Sequence, residues 1–356
     1  MTVKILIVKT SALGDIVQAL PLLSYLRARC PEATIDWVVE KGGADLVKAC
    51  PLIDRTLVVD TKYWRKNLWI SRKDIITFIK RLRERHYDVL FDLQGNTKSA
   101  LLTYFSRATC KVGFGYKSVP EFPNLFVTHR RFNPKGDENM VQRYLSVIQQ
   151  FYQDKTPWVQ TPLLLHTDKT LPQLKQTAGF CFMVCFGSRW ENKKLSTEVW
   201  KEFLFRVAKE DRLWIVYGNE EEKKEAERLI EHLQGKATLL SPMSLPVWQN
   251  MMGRMDGVIA VDSVGLHLGG LAGVATLSFF GPSLATVYQP SGKQHSSIQG
   301  KCPYGFEFDR RCPRLRTCTS GACLKQMHAE DLWGHFQEWR SRCQNRCVSR
   351  QDQQLP

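Results

Sequence analysis

The sequence lacks the long hydrophobic runs that mark membrane-spanning or exported chains. No stretch approaches the roughly 20 apolar residues that a membrane-spanning helix requires. The apolar run nearest the start, Ile5 to Val8, is too short to be the hydrophobic region of a secretory signal. We therefore expect the chain to act in the cytoplasm.

Two common phosphate-binding signatures are also absent from the first strand and turn. The strand Ile5 to Val8 runs into the turn Lys9-Thr10-Ser11-Ala12-Leu13-Gly14-Asp15, and a helix follows. This turn contains neither the G-x-G-x-x-G pattern of dinucleotide-binding folds nor the Gly-Lys-Ser/Thr of a Walker loop. It does place a lysine and an acid, Lys9 and Asp15, at the carboxyl end of a strand, where open α/β sheets bind their ligands.

The spacing of a zinc ribbon is missing as well, although the chain holds 11 cysteines. Six of them lie in the last 55 residues: Cys302, Cys312, Cys318, Cys323, Cys343 and Cys347. They form no CxxC pairs. We expect loop thiols and no bound metal, with a structural metal or a redox role as the alternative.

Acidic residues are scarce relative to basic ones. The formal net charge is +15, which favours an anionic partner such as nucleic acid, an anionic membrane surface or a phosphorylated substrate. No recognised nucleic-acid module is present, so we expect no nucleic acid. The basic, aromatic stretch Lys62-Tyr63-Trp64-Arg65-Lys66 suits an acidic sugar or a phosphate, although a solvated basic face has the same pattern.

Strand and helix patterns alternate in two series. The first runs from Ile5–Val8 to a helix over Ala100–Phe105, and the second from Phe180–Phe186 to Ala275–Phe280. A proline-bearing zone without clear period, Lys155 to Gln176, separates them. The pattern predicts an α/β fold with two Rossmann-like domains facing a cleft. The predicted domains are 1–160, 177–325, and a C-terminal helix and tail over 326–356 that packs back toward the N-terminal domain, with a membrane-surface helix as the alternative.

The ends of the predicted strands carry most of the chemically useful side chains. They are Lys9, Asp15, Asp92 and Gln94 in the first half, and Gly187-Ser188-Arg189, Gly218-Asn219, Asp262-Ser263 and Gly281-Pro282 in the second. Purely structural explanations exist for several of these side chains and their neighbours. Asp15 and Asp262 can be helix caps, and Glu222 can simply suit the positive end of a helix dipole. His267 can be a packing histidine, and the loop around Lys193 a solvated connection.

Taken in order, these segments resemble the lipopolysaccharide heptosyltransferases of glycosyltransferase family 9, most closely those that add the first heptose to a Kdo residue. The resemblance rests on nine short stretches: residues 7–15, 36–40, 64–66, 92–95 with Lys98-Ser99, Gly187-Ser188 with Lys193, Gly218 with Glu222, 243–245, 261–263 and His267-Leu268. Each stretch alone is weak, and together they cover roughly residues 3–285.

The resemblance implies a GT-B fold, an ADP-heptose donor and no cofactor or metal. It also implies inverting transfer of the heptose to a Kdo–lipid A type acceptor, with peripheral contact at the anionic cytoplasmic face of the inner membrane. Asp15 would be the general base, and Lys193 would neutralise the departing diphosphate. The implied donor-binding residues are Ser188, Arg189, Glu222, Met243, Asp262, Ser263, Val264, Gly265 and His267. The implied acceptor-binding residues are Lys9, Lys62, Arg65, Lys66, Gln94, Lys98 and Arg143.

The sequence departs from the family pattern at three places. Ser263-Val264 stands where the family commonly has Thr-Gly, Leu195-Ser196 replaces the usual Trp-Pro, and no arginine lies within residues 118–122. These departures leave two alternatives open. One is a family 9 enzyme with a heptose II or heptose III acceptor, and the other is a GT-B-like sugar-nucleotide epimerase or hydrolase.

Overall fold

The computed structural model describes residues 2–171 and 179–351. The chain divides into two compact units, residues 1–161 and 162–356. The predicted second domain begins at residue 177, which lies outside the described residues, as do the end of the predicted boundary zone and residues 352–356 of the predicted tail. The two units are described separately below.

The first unit is built on a six-stranded parallel sheet with strand order β3-β2-β1-β4-β5-β6. Its strands are β1 Lys4–Val8, β2 Thr34–Glu40, β3 Arg55–Val59, β4 Tyr87–Asp92, β5 Ala108–Phe114 and β6 Arg130–Phe132. Its α-helices are α1 Leu13–Ala19, α2 Leu22–Arg29, α3 Ala44–Lys48, α4 Thr61–Lys66, α5 Arg72–Arg83, α6 Thr97–Phe105 and α7 Met140–Tyr152. Short 3-10 helices cover Lys41–Gly43 and Phe122–Val127.

The second unit contains another six-stranded parallel sheet, with order β12-β11-β10-β7-β8-β9. Its strands are β7 Cys181–Cys185, β8 Arg212–Val216, β9 Ala237–Leu240, β10 Gly257–Val261, β11 Ala275–Phe280 and β12 His295–Gln299. Its α-helices are α8 Thr197–Val207, α9 Glu220–His232, α10 Leu245–Met252, α11 Val264–Leu271, α12 Ala285–Tyr288, α13 Ala322–Lys325 and α14 Ala329–Gln351. A 3-10 helix covers Glu191–Lys193.

Both sheets have the same topology when the strands of each unit are numbered from its own start, namely 3-2-1-4-5-6. This is the order of the Rossmann fold, so the predicted α/β fold with two Rossmann-like units is confirmed. The order reverses between the first and fourth strands, and ligands of such sheets bind outside the carboxyl ends of the strands at that point. The switch points are β1/β4 in the first unit and β7/β10 in the second.

Continuous apolar strands explain why the sheets form where they do. Strand β10 reads Gly-Val-Ile-Ala-Val and β11 reads Ala-Thr-Leu-Ser-Phe-Phe, and every residue of both is buried. Strands covered by helices on both faces have no polar face, so their sequences do not alternate. For this reason the strands predicted from apolar runs match the structure within one or two residues.

Several elements differ from the sequence reading. The helix that follows the first turn ends at Ala19, and a second helix begins at Leu22, because Pro21 cannot continue the hydrogen-bond ladder of α1. Strands β5, β6 and β12 and helix α7 were not predicted. Polar residues interrupt β5 and β12, which lie near or at the edge of their sheets.

Helix α14 packs in the core of the second unit. Leu332, Phe336 and Trp339 are fully buried, and Cys343 is nearly so. The ring of Phe336 lies 5.6 Å from that of Phe182 on β7 and 5.8 Å from that of Phe203 on α8. The alternative interpretation of this helix as a membrane-surface helix is therefore wrong, because its apolar stripe is already buried.

Among the residues that the structure describes, no helix is both long enough and apolar enough to cross a bilayer.

Candidate active site

At the switch point of the first unit, the loop after β1 is held by a side chain from the loop after β4. The side-chain oxygen of Gln94 accepts hydrogen bonds from the backbone N–H groups of Thr10 and Ser11, each at 3.0 Å. Asp92 positions Gln94 in turn, because Asp92 Oδ1 accepts a hydrogen bond from the backbone N–H of Gln94 at 3.0 Å. Burial raises the pKa of Asp92 and outweighs the hydrogen bonds that it accepts. Gln94, predicted to contact the acceptor, thus also fixes the loop that carries Lys9 and Asp15.

Asp15 lies at the third position of α1 rather than at its N-cap, which is Ala12. Its Oδ2 accepts a hydrogen bond from the backbone N–H of Ala12 at 3.3 Å. This bond satisfies one of the N–H groups that a helix start leaves without an intrahelical partner. Asp15 therefore accepts a capping hydrogen bond at the start of α1, as expected, but it does so from the third helical position and not from the N-cap. The side chain of Asp15 is half-buried.

Lys9 is buried, and its ammonium lies 4.8 Å from the centre of the Tyr144 ring on α7. The neighbouring Arg143 is buried too, and it donates to the backbone oxygen of Lys135. Burial of these two cations is unusual, because long basic side chains normally keep their charge in water. The structure thus brings Lys9 and Tyr144 together, and Arg143 precedes Tyr144 on α7.

Glu40 links the other predicted acceptor residues and was not predicted as a site residue. Its carboxylate accepts from the ammonium of Lys98 at 2.8 Å and from the hydroxyl and backbone N–H of Thr61 at the start of α4. Helix α4 carries Lys62, Arg65 and Lys66, all of them exposed. Glu40 is the last residue of β2, so the strand-end rule that selected Lys9 and Gln94 would also have found it.

At the switch point of the second unit, Lys193 and Asp262 form a buried ion pair. Lys193 Nζ lies 2.5 Å from Asp262 Oδ2, and His267 Nε2 lies 3.7 Å from Asp262 Oδ1. Burial alone would raise the pKa of Asp262, but the charges of Lys193 and His267 and hydrogen bonds from Lys193 and Ser283 outweigh it and lower the pKa. Asp262 therefore stays ionised, and Lys193 is fixed beside the ends of β7 and β10.

Helix α11 begins at this pair. Ser263 is its N-cap, Val264 and Gly265 form its first turn, and the buried His267 follows. The N–H groups of a first helical turn attract anions such as a diphosphate. A Cβ on Gly265 would lie 3.0 Å from the Cys185 side chain and from Trp248, so this glycine lets α11 pack closely on β7.

Glu222 lies against the loops after β7 and β8. It is the third residue of α9, and its Oε2 accepts from the backbone N–H of Gly218 at 2.7 Å. A Cβ on Gly187 would lie 2.4 Å from its Oε1. The remaining predicted donor residues are Ser188, half-buried after β7; Arg189, exposed beside it; and Met243, half-buried after β9.

Because the resemblance implies that Glu222 binds the donor, Gly187→Ala is expected to weaken donor binding without destabilising the fold. The new methyl group would displace the carboxylate of Glu222, which is the far end of a flexible side chain and can move cheaply. We expect the KM for the donor to rise about tenfold, the size of one lost hydrogen bond to a charged group. Gly42→Ala is the matched control, because nothing lies within 4 Å of its added Cβ. An unchanged KM, or a large drop in melting temperature, would contradict this role for Gly187.

The C-terminal cysteines lie outside both switch points. Cys302, Cys312, Cys318 and Cys323 line one cavity of about 480 Å³ together with Asn192 and Pro282. All four are free thiols, and the described residues contain no group of three or more His, Cys, Asp or Glu arranged to hold a metal ion. The side chain of Cys347, the last of the six, is not described.

Cys318 is expected to react with iodoacetamide ahead of Cys323. A hydrogen bond from the backbone N–H of Gly321 and another from the Ser320 hydroxyl lower the pKa of Cys318, whereas burial and the neighbouring thiols raise that of Cys323 to about 11. The thiolate is the reactive form, so Cys318 carries more of it near neutral pH. Mass spectrometry of briefly alkylated protein measures the order, and equal labelling would contradict it.

Comparison with known proteins places the chain in a family. The sequence profile of glycosyltransferase family 9 (heptosyltransferase) matches residues 75–316. The chain is 30% identical over 292 residues to lipopolysaccharide heptosyltransferase 1 of Pseudomonas aeruginosa. The matched segment covers 79% of each of the two proteins. Its fold is similar to that of the E. coli heptosyltransferase WaaC solved with ADP, with a TM-score of 0.78, 23% identity, and 94% and 99% of the two chains covered.

A second solved structure, E. coli ADP-heptose lps heptosyltransferase II, matches with a TM-score of 0.68 and 16% identity over 95% of this chain and 99% of that one. At such identities the two structures speak for the fold alone, which is the predicted GT-B fold. Family membership rests on the sequence profile and on the Pseudomonas relative. The chain belongs to glycosyltransferase family 9, the heptosyltransferase family, and is a glycosyltransferase.

Proposed function

We propose that this protein is an inverting heptosyltransferase that moves heptose from ADP-heptose to a Kdo residue of the lipopolysaccharide inner core. The observation that carries the proposal is the buried Lys193–Asp262 pair at the switch point of the second unit. It fixes a cation where a Rossmann-like unit binds a nucleotide. The choice of substrate is supported by the relatives named lipopolysaccharide heptosyltransferase 1 and by WaaC, solved with ADP and with ADP-2-deoxy-2-fluoro heptose.

The second unit is the donor-binding half of this proposal. Lys193 and the first-turn N–H groups of α11 neutralise the diphosphate, with Ser188 and Arg189 beside them. Glu222 accepts hydrogen bonds from the ribose hydroxyls, and Met243 packs against the adenine. Asp262 and His267 contact the heptose or the phosphates. The lowered pKa of Asp262 keeps its carboxylate anionic, so the carboxylate holds the Lys193 side chain in position through their ion pair.

The first unit is the acceptor-binding half. The exposed cations of α4 and the more buried Lys9, Lys98 and Arg143 attract the carboxylate and phosphate groups of a Kdo–lipid A type glycolipid. Gln94 holds the loop on which Asp15 lies. Such a substrate is itself anchored in a membrane, so we propose that the enzyme works at the cytoplasmic face of the inner membrane as a peripheral protein.

The chemical step needs a base and a stabilised leaving group. The Asp15 carboxylate takes the proton of the acceptor hydroxyl as its oxygen bonds to the anomeric carbon of the heptose. The bond from that carbon to the diphosphate oxygen breaks on the opposite face, which inverts the configuration, and ADP leaves with the electron pair. Lys193 supplies the positive charge that the departing diphosphate requires, so we propose that no metal ion is needed.

The test is incubation of the purified protein with ADP-heptose and Kdo–lipid A, followed by mass spectrometry of the lipid and measurement of released ADP. We expect a heptosylated product and no loss of rate in EDTA. Failure to heptosylate and to release ADP would overturn the proposal. Product formation only on an already heptosylated acceptor would favour the heptose II or III alternative, and conversion of the donor without acceptor would favour an epimerase or hydrolase.

A further inference from the structure

Three consecutive large apolar side chains between α4 and α5 are strongly exposed. Leu68, Trp69 and Ile70, which we call the apolar loop, are 61%, 90% and 75% exposed. Scattered exposed leucines are normal in soluble proteins, but three consecutive large apolar residues that include a nearly bare tryptophan are not. Such a group indicates a surface that something else covers.

The apolar loop is held in place by its two ends. The backbone N–H of Ser71 donates to the oxygen of Asn67 at 2.9 Å, so the loop closes on itself as a tight turn. Ser71 is fully buried, and Trp64 on α4 packs against the buried Phe78 of α5 at 5.6 Å between ring centres. The three side chains are therefore projected outward by a fixed support.

The segment that carries the apolar loop is basic, and the acids Asp60 and Asp74 lie only at its two ends. Residues 61–73 contain five cations and no acid. The cations are Lys62, Arg65, Lys66, Arg72 and Lys73, and all of them are exposed. A tryptophan-bearing apolar tip inside a ring of lysine and arginine matches the interface of an anionic bilayer, where the indole lies among the headgroups and the cations meet the lipid phosphates.

The position of the loop agrees with this partner. Helix α4 begins at Thr61, whose hydroxyl and N–H bond to Glu40, and Glu40 pairs with Lys98. The apolar loop therefore lies directly beyond a helix that is tied to the predicted acceptor-binding cations. If the proposed function is correct, insertion of this surface into the lipid would present those cations to the sugar of a membrane-anchored acceptor.

We propose that the apolar loop and its ring of cations dock the protein onto an anionic lipid bilayer, with Trp69 inserted at the interface. Apolar insertion and headgroup attraction act together, so each alone supports only weak binding. The other occupants of such a surface, a second copy of this chain or another protein, are outcomes of the test.

Cosedimentation with vesicles tests the proposal. The affinity of the wild-type chain for vesicles of phosphatidylcholine with phosphatidylglycerol should be about tenfold higher, or more, than its affinity for phosphatidylcholine alone. High salt should weaken the binding. Trp69→Ser should lose about tenfold in affinity, and the double variant Arg72→Glu, Lys73→Glu should lose at least as much. Phe126→Ser is the matched control, since Phe126 is also an exposed aromatic residue, 77% exposed, outside the loop.

Activity measurements separate this proposal from the proposed function. Trp69→Ser should transfer normally to a soluble Kdo sugar and poorly to an acceptor embedded in anionic vesicles. Equal vesicle binding by wild type and Trp69→Ser, or a Trp69-dependent dimer in solution, would overturn the docking surface even if transfer is normal. Conversely, Trp69-dependent vesicle binding without transfer to any acceptor would leave the docking surface intact and sink the proposed function.

Discussion

Lys193→Ala is expected to lower kcat about 10²-fold or more and to raise the KM for the donor. A fixed cation opposite developing negative charge contributes several kcal/mol to transfer, of the order measured when one preorganised donor is removed. The substitution also leaves Asp262 buried without its nearest partner, which typically costs about 3–5 kcal/mol of folding free energy. Steady-state kinetics with the donor varied and thermal melts on the same preparation measure the two effects.

The matched control is Lys194→Ala. Lys194 is the next residue, and its ammonium pairs with the more exposed Glu191 at 2.9 Å. Exposed pairs of this kind contribute about 1 kcal/mol or less, so we expect a small change in melting temperature and nearly normal turnover. If Lys193→Ala keeps more than about a tenth of wild-type kcat, Lys193 is not the residue that neutralises the leaving group.

The pH dependence of stability separates a lost charge pair from a general packing defect. In the wild-type protein the folded pKa of Asp262 is lowered, so its contribution is present above the ordinary value of 3.8 and is lost as the pH falls through the folded value. Without Lys193 the burial of Asp262 is no longer opposed by the ammonium, and its folded pKa should rise. The variant then loses stability as the pH rises through that raised value. The gap between the two melting temperatures should therefore be narrow in acid and widen toward neutral pH.

The sequence predicts the parts of the fold that local chemistry determines. Buried parallel strands have continuous apolar runs, and their ends are marked by a change to Gly, Asp or Lys, as at Val8-Lys9 and Val261-Asp262. Because both switch points lie at such ends, the rule that ligands bind there selected Lys9, Asp15 and Asp262 before any geometry was known. Helix α7 also has an apolar period in the sequence, in Met140, Val141, Tyr144 and Val147.

Other features depend on residues that are far apart in the chain. The buried Asp36 accepts hydrogen bonds from Arg55 at 3.0 Å, Arg85 at 2.8 Å and Tyr87 at 2.7 Å, contacts that span up to 51 positions. No local pattern announces such a cluster. The same limit explains why the sequence predicts a lysine at this strand end but does not predict that Lys9 is buried against Tyr144. A charge is recognisable in a sequence, whereas its burial depends on which elements pack over it.

Asp15→Asn is expected to lower kcat about 10²- to 10⁴-fold while leaving donor binding and stability almost unchanged. The amide cannot take a proton from the acceptor hydroxyl at neutral pH, and the loss of a positioned base has effects of this size. Its side-chain oxygen can still accept the hydrogen bond that Asp15 Oδ2 receives from the N–H of Ala12. The variant therefore removes the proposed chemistry and keeps the contact that stabilises the helix.

Asp15→Ala is the informative partner of Asp15→Asn, because it removes both the proposed base and the hydrogen bond to the N–H of Ala12. We expect the same kcat as for Asp15→Asn, together with a loss of about 1 kcal/mol from the start of α1. If Asp15 acted only through the helix, Asp15→Asn would stay near wild-type activity and only Asp15→Ala would fall. If it is the base, both variants lose turnover equally.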